Sequence, residues 1–199
     1  MKRLRWSFPA IALAGASLAL AAALPTRHRG ASPADDVRAH FEYWTRDGGV
    51  WLTSNANYRT AANQEPNHYG TTYQRALGGV SMTGCLWGEH NGKRVGTYWN
   101  FFSGWDPVLQ KVMVYQTGGN GVTGMGYEEL GVDGQPDVAE QRFFATDSTG
   151  QELFRIKHLT TKVSADTLKT ESFDWVEGEW EARRVYTWVR QPGDTTRGC

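Results

Sequence analysis

Hydrophobic residues fall in two different rhythms along the chain. Val37, Phe41 and Trp44, with Ala34 and His40 nearby, recur at three- and four-residue spacing and make one apolar stripe, the pattern of a helix. Ser32 followed by Pro33 and Asp35 supplies a cap hydroxyl, a first-turn proline and a first-turn acid, so the helix is predicted to start there. Gly48-Gly49 is predicted to stop it. Beyond that point the pattern changes to segments of strand length at roughly 50–59, 67–76, 80–90, 93–103, 108–117, 121–129, 138–146, 151–160, 167–176 and 179–190. In the last of them, Trp180, Ala182, Arg184, Tyr186, Trp188 and Arg190 alternate with Glu181, Arg183, Val185, Thr187 and Val189, which is the two-residue period of a strand with two distinct faces.

The separators are turn sequences. Asn91-Gly92 suits a two-residue hairpin, whose central positions need positive φ. Gly118-Gly119-Asn120, Asp147-Ser148-Thr149-Gly150 and Glu177-Gly178 mark further tight connections, and Asp106-Pro107 and Gln135-Pro136-Asp137 looser ones. No gap accommodates the crossover that parallel strands require, so consecutive strands are antiparallel neighbours. Ten of them in one open sheet would leave two edges exposed. The prediction is therefore an all-β fold: an up-and-down antiparallel barrel of about ten strands with one N-terminal helix.

Composition narrows the function classes. The chain has 199 residues, 40% hydrophobic, with 21 basic and 21 acidic side chains that cancel, and neither sign is gathered into a long run. That excludes a nucleic-acid footprint. Lys2, Arg3 and Arg5 precede an uncharged run from Phe8 to Leu24, and Ala21-Ala22-Ala23 offers a small-residue cleavage site, so residues 1–23 read as a signal peptide. The run is at the short limit for a membrane anchor, and no stable span is expected after cleavage. Removing three cations and no acid leaves a mature charge of −3. The domain plan is then a leader, a linker over 24–31, a helix-plus-barrel domain over 32–190 and a flexible tail over 191–199, in a periplasmic or secreted protein. An oxidising compartment permits Cys85 to pair with Cys199; the alternative is a buried Cys85 and a loose terminal thiol.

The stretch from Arg75-Ala76-Leu77-Gly78-Gly79 through Gly92 to Gly104-Trp105-Asp106-Pro107, then Tyr115 and Gly121 to Gly124, resembles a bacterial calycin-like family of unknown function. The closing hairpin, Trp175 to Gly178 and Trp180 leading to Tyr186, is similar to that family's last hairpin. The resemblance implies a lipocalin-type barrel and no particular reaction. Arg184-Val185-Tyr186 also resembles the Arg-x-Tyr of intracellular fatty-acid-binding proteins, which implies that Arg184 and Tyr186 hold an acidic head group. Some nitrobindin-like relatives bind haem through one interior His, and His158, on the same face as Phe154 and Ile156, is the one analogue.

A ten-stranded barrel is wide enough to hold a ligand. The first functional expectation is a binder of a small apolar or amphipathic molecule, with Arg184 and Tyr186 at its head group and Trp99, Trp180 and Trp188 as walls. The competing arrangement turns that face of the last strand outward, with Arg stems lying over Trp rings. A second expectation is an isomerase, cyclase or hydrolase using an interior acid or His158 as base; a third is a protein-interaction module with aromatic residues outside. Tyr98-Trp99-Asn100-Phe101-Phe102 puts aromatics on both faces of the fourth strand, and the helix stripe is the expected outer cover. Glu128-Glu129, Asp133, Asp137, Glu177 and Glu179 are expected to be solvated. No His pair has metal-ligand spacing, so no metal or other cofactor is predicted.

Overall fold

A computed structural model describes residues 32–194 and 199. The leader at 1–23 and the linker up to residue 31 lie outside the described residues. Helix α1 is Pro33–Thr45, and it begins with the predicted capping box: Ser32 Oγ accepts from Asp35 N–H, and the Asp35 carboxylate accepts from Ser32 N–H. Glycine ends the segment, with Gly49 in the left-handed region at φ 67°.

Ten strands follow: β1 Val50–Ser54, β2 His68–Arg75, β3 Ser81–His90, β4 Lys93–Asp106, β5 Lys111–Gly118, β6 Thr123–Leu130, β7 Val138–Thr146, β8 Glu152–Lys162, β9 Thr167–Val176 and β10 Glu179–Arg190. Each pairs antiparallel with the next, and β1 pairs with β10 through Trp51↔Arg190 and Leu52↔Val189, which closes the barrel. The Asn91-Gly92 hairpin has the positive φ of its turn type, 50° and 74°. The first strand ends five residues earlier than its pattern suggests, at Ser54 rather than 59, because the next residue leaves the sheet: Asn55 is fully buried and its amide side chain bonds Glu65 and the Pro66 carbonyl. The segment 55–67 is a loop whose neck is tied by Asn55 N–H to the Asn67 carbonyl at 2.9 Å.

The helix plugs one end of the barrel. Val37 and Phe41 pack on Met82, Val112 and Val114, with Trp44, Tyr73, Trp105 and Leu130 around them. This corrects the expectation that the stripe covers β4 from outside: the inward faces of β3 and β5 offer an apolar end, and the stripe fills it. The helix has no basic residue in its last turn to meet its terminal carbonyls. Arg190 does so from β10, donating to the Tyr43 carbonyl at 2.6 Å and the Arg46 carbonyl at 3.0 Å, with Asp166 as counter-ion at 3.0 Å and its guanidinium 4.0 Å from the Trp51 ring. Arg190 is thus a structural clamp between the plug and the wall.

A second apolar cluster, Val50, Cys85 and Trp87 with Leu52, sits on the outer side of β1–β3. Gly70 is required there, since a Cβ would stand 2.1 Å from the Trp87 ring. Cys85 is bonded to Cys199. The last residue of the expected loose tail is therefore fastened to the barrel wall.

Candidate functional site

The lumen contains a cavity of about 480 Å³. Leu86, Trp99, Phe101, Phe143, Phe154 and Ile156 give it a broad apolar wall. Beside it, sharing β7 and β8 with it, runs one row of direct cross-strand neighbours, Glu128, Gln141, His158, Ser172 and Arg184, all facing inward. Strand tilt carries such a row obliquely along a barrel. Here it runs from Glu128 on the plug side, beside His40, to Arg184 at the mouth, beside the 55–67 loop.

At the mouth the inward setting of Arg184, Tyr186 and Trp188 is as the first functional expectation requires, and Trp99 also lines the cavity. Trp180 does not. A bulge between Ala182 and Arg184 inserts Arg183 as an extra residue and reverses the phase of the strand before it. Trp180 accordingly faces outward, edge-on to Trp175 at 5.0 Å and beneath the Lys157 ammonium, while Arg183 joins Arg184 in lining the lumen.

Arg184 is already matched by a carboxylate of the chain itself. Its two terminal nitrogens donate to Glu65 at 2.7 and 2.9 Å, and Tyr186 Oη donates to Asn55 Oδ1 at 2.8 Å. The Arg184 fork holds the Glu65 carboxyl below its usual range. The acidic head group expected at Arg184 and Tyr186 is therefore replaced by Glu65, a residue 119 positions away in sequence. Nothing in the loop's local pattern singles out Glu65; only closure of the barrel brings it to β10.

His158 faces the cavity as its alternation predicts. Its Nδ1 is 2.9 Å from Ser172 Oγ, directly across the β8–β9 ladder. Desolvation inside the barrel, aided by the Arg183 charge and opposed by Glu128, lowers its pKa to about 4. The ring is neutral at neutral pH. The unfolded chain takes up this proton near pH 6.5, and the folded one only near pH 4. Stability linked to His158 is thus complete above pH 6.5 and is lost as pH falls towards 4, by about 3 kcal/mol at most. The denaturation midpoint should drop between pH 7.5 and 4.5, and His158→Gln should drop less over the same interval. Of the guanidinium groups lining the lumen, Arg183 is held by Asp174 at 3.5 Å and Arg184 by Glu65.

Glu128 corrects a further expectation. It is only 8% exposed and lines the lumen instead of sitting in solvent. The signal lay in the alternation of Gly124, Gly126 and Glu128 along the inward face of β6, since Val112, opposite Glu128, is fully buried. Glu129, its neighbour on the other face, pairs with Lys111 outside as expected. Among the described residues no group of three His, Cys, Asp or Glu side chains converges as a metal site would need.

No protein-family model matches the chain, and no curated protein matches it.

Proposed function

We propose that this chain is an exported barrel that holds a small apolar or amphipathic molecule in its lumen. The observation that carries the reading is the 480 Å³ cavity lined mainly by aromatic and aliphatic side chains with a continuous polar row among them. That is the constitution of a pocket that buries most of a ligand and orients it with a few polar contacts. The up-and-down topology supports the resemblance to calycin-like barrels, and the Cys85–Cys199 disulfide, together with the leader-like residues 1–23, supports an oxidising compartment. A hydrogen-bonding or cationic head group fits the row better than an acid, because Arg184 has no charge to spare. A base whose pKa is near 4 is weak at neutral pH, so binding is favoured over proton-transfer catalysis by His158.

The neutral fluorophore N-phenyl-1-naphthylamine is expected to brighten and shift to the blue with the mature protein. Thr160→Trp, which fills the lumen from β8, should abolish that signal while the fold is retained. Failure of the wild-type protein to bind the dye, with no co-purifying small molecule in native mass spectrometry, would overturn the reading. It would favour a second one resting on the outer wall. There Phe102, Tyr115, Met125 and Phe144 are direct cross-strand neighbours on β4–β7, each between 37% and 49% exposed, and form a continuous apolar row suited to a protein partner.

A further inference from the structure

The charges in the lumen do not cancel evenly. Of the guanidinium groups on its inner face, Arg183 is paired with Asp174, Arg184 with Glu65 and Arg190 with Asp166. His158, hydrogen-bonded to Ser172, presents a neutral ring. Glu128 has no such partner. Among the described residues no donor hydrogen-bonds to its carboxylate, and the one group within ion-pair distance is His40, whose Nε2 lies 3.5 Å away. That nitrogen accepts the Trp44 indole N–H at 3.0 Å, so its lone pair is taken up by Trp44 and it donates no hydrogen bond to Glu128. Lys162 feels the Glu128 charge but stands over the Tyr43 ring at 5.1 Å and makes no ion pair with Glu128. An ionised carboxylate in such a place is costly unless a cation or donors meet it.

What surrounds it is aromatic. Trp44 and Tyr73 line the same end of the cavity with ring centroids 4.9 Å apart, and Phe101 stacks on Tyr73 at 5.9 Å. The Glu128 charge reaches this group, helping burial to push the Tyr73 hydroxyl well above its ordinary range. Aromatic faces beside a carboxylate are the environment that binds an ammonium, by cation–π attraction and by charge.

We infer that the plug end of the lumen is a cation subsite, in which Glu128 and the rings of Trp44 and Tyr73 receive the protonated amine of an amphipathic ligand whose apolar part lies along the Trp99–Phe154 wall. This rests on the lumen being a binding site and names its ligand class. A carboxylate ligand is repelled at that end by Glu128 and meets a neutralised Arg184 at the other.

The test is displacement of N-phenyl-1-naphthylamine from the mature protein at pH 7.5 by octylamine, 1-octanol and octanoate, which share one chain and differ in head group. Octylamine is expected to bind at least about tenfold tighter than octanol, with octanoate weakest. Glu128→Gln should bring octylamine to the level of octanol and leave octanol within about twofold of its wild-type value. Equal displacement by octanol and octylamine in the wild-type protein, which requires no variant to fold, would overturn the cation subsite and leave lumen binding intact. So would an amine preference that survives Glu128→Gln. If the dye itself does not bind, the lumen reading falls and the subsite falls with it.

Discussion

Reduction of the Cys85–Cys199 disulfide is expected to destabilise the protein by about 3–5 kcal/mol. The two cysteines are 114 residues apart, so the bond constrains the chain from the middle of β3 through β10 in the unfolded state. The native state also loses by its removal. Cys85 is completely buried on the outer side of β3 beside Val50 and Trp87, and Cys199 Sγ lies 3.6 Å from the Thr72 carbonyl. Denaturant midpoints with and without reductant, and for Cys199→Ser, measure the effect. The single replacement should reproduce the effect of reduction, because either change frees the terminus. A shift below about 1 kcal/mol would show that the terminus contributes little to the wall it touches. Cys85→Ser should cost more than Cys199→Ser, since it also places a hydroxyl in an apolar cluster. The same dependence would make the fold weaker in a reducing cytosol than in the oxidising compartment proposed for it.

Phe41→Ala should cost about 3–5 kcal/mol. Phe41 is fully buried at the centre of the plug, against Val37, Met82, Val112 and Val114, and the barrel end cannot collapse to fill the space because its strands are held in a closed ladder. The consequence reaches the site. Trp44 and His40 stand on the same helix and form one side of the Glu128 pocket, and the helix is otherwise fastened by Arg190, by the Tyr43 hydroxyl on the Ser164 and Thr167 carbonyls and by the Trp51 indole on the Trp44 carbonyl. Loosening the plug should therefore weaken dye binding in the lumen as well as lower the thermal midpoint. Val37→Ala, a smaller deletion in the same cluster, should move both in the same direction by less. Calorimetry and dye titration on the two variants provide the comparison; a Phe41→Ala protein of unchanged stability would mean that the helix is dispensable for closing the barrel.

Much of this architecture is written locally. The capping sequence at Ser32–Asp35, the Gly48-Gly49 stop and the Asn91-Gly92 hairpin act over a few residues, and each takes the conformation its chemistry favours. Ten short alternating segments with tight turns leave antiparallel closure as the way to remove both sheet edges, and that is the fold. The inward positions of Trp99, His158, Arg184, Tyr186 and Trp188 follow from two-residue alternation wherever the ladder is regular.

Alternation fails where the ladder slips. The bulge at Arg183 reverses the phase of β10, and so Trp180 leaves the cavity and Arg183 joins it; a bulge is set by how two strands fit and leaves no mark in the period of either one. The charge pattern of the site is equally a tertiary product. Glu65 meets Arg184 across 119 residues, and Glu128, turned inward by the alternation of β6, is covered by the α1 plug with His40 and Trp44. The sequence by itself determined the turns, the helix ends and the ten-strand closure, because those depend on backbone preferences and periods within a segment. Which charges in the lumen are neutralised, and which one is left for a ligand, was decided only by the folded barrel, because Coulomb pairing depends on distance in space and on the removal of water.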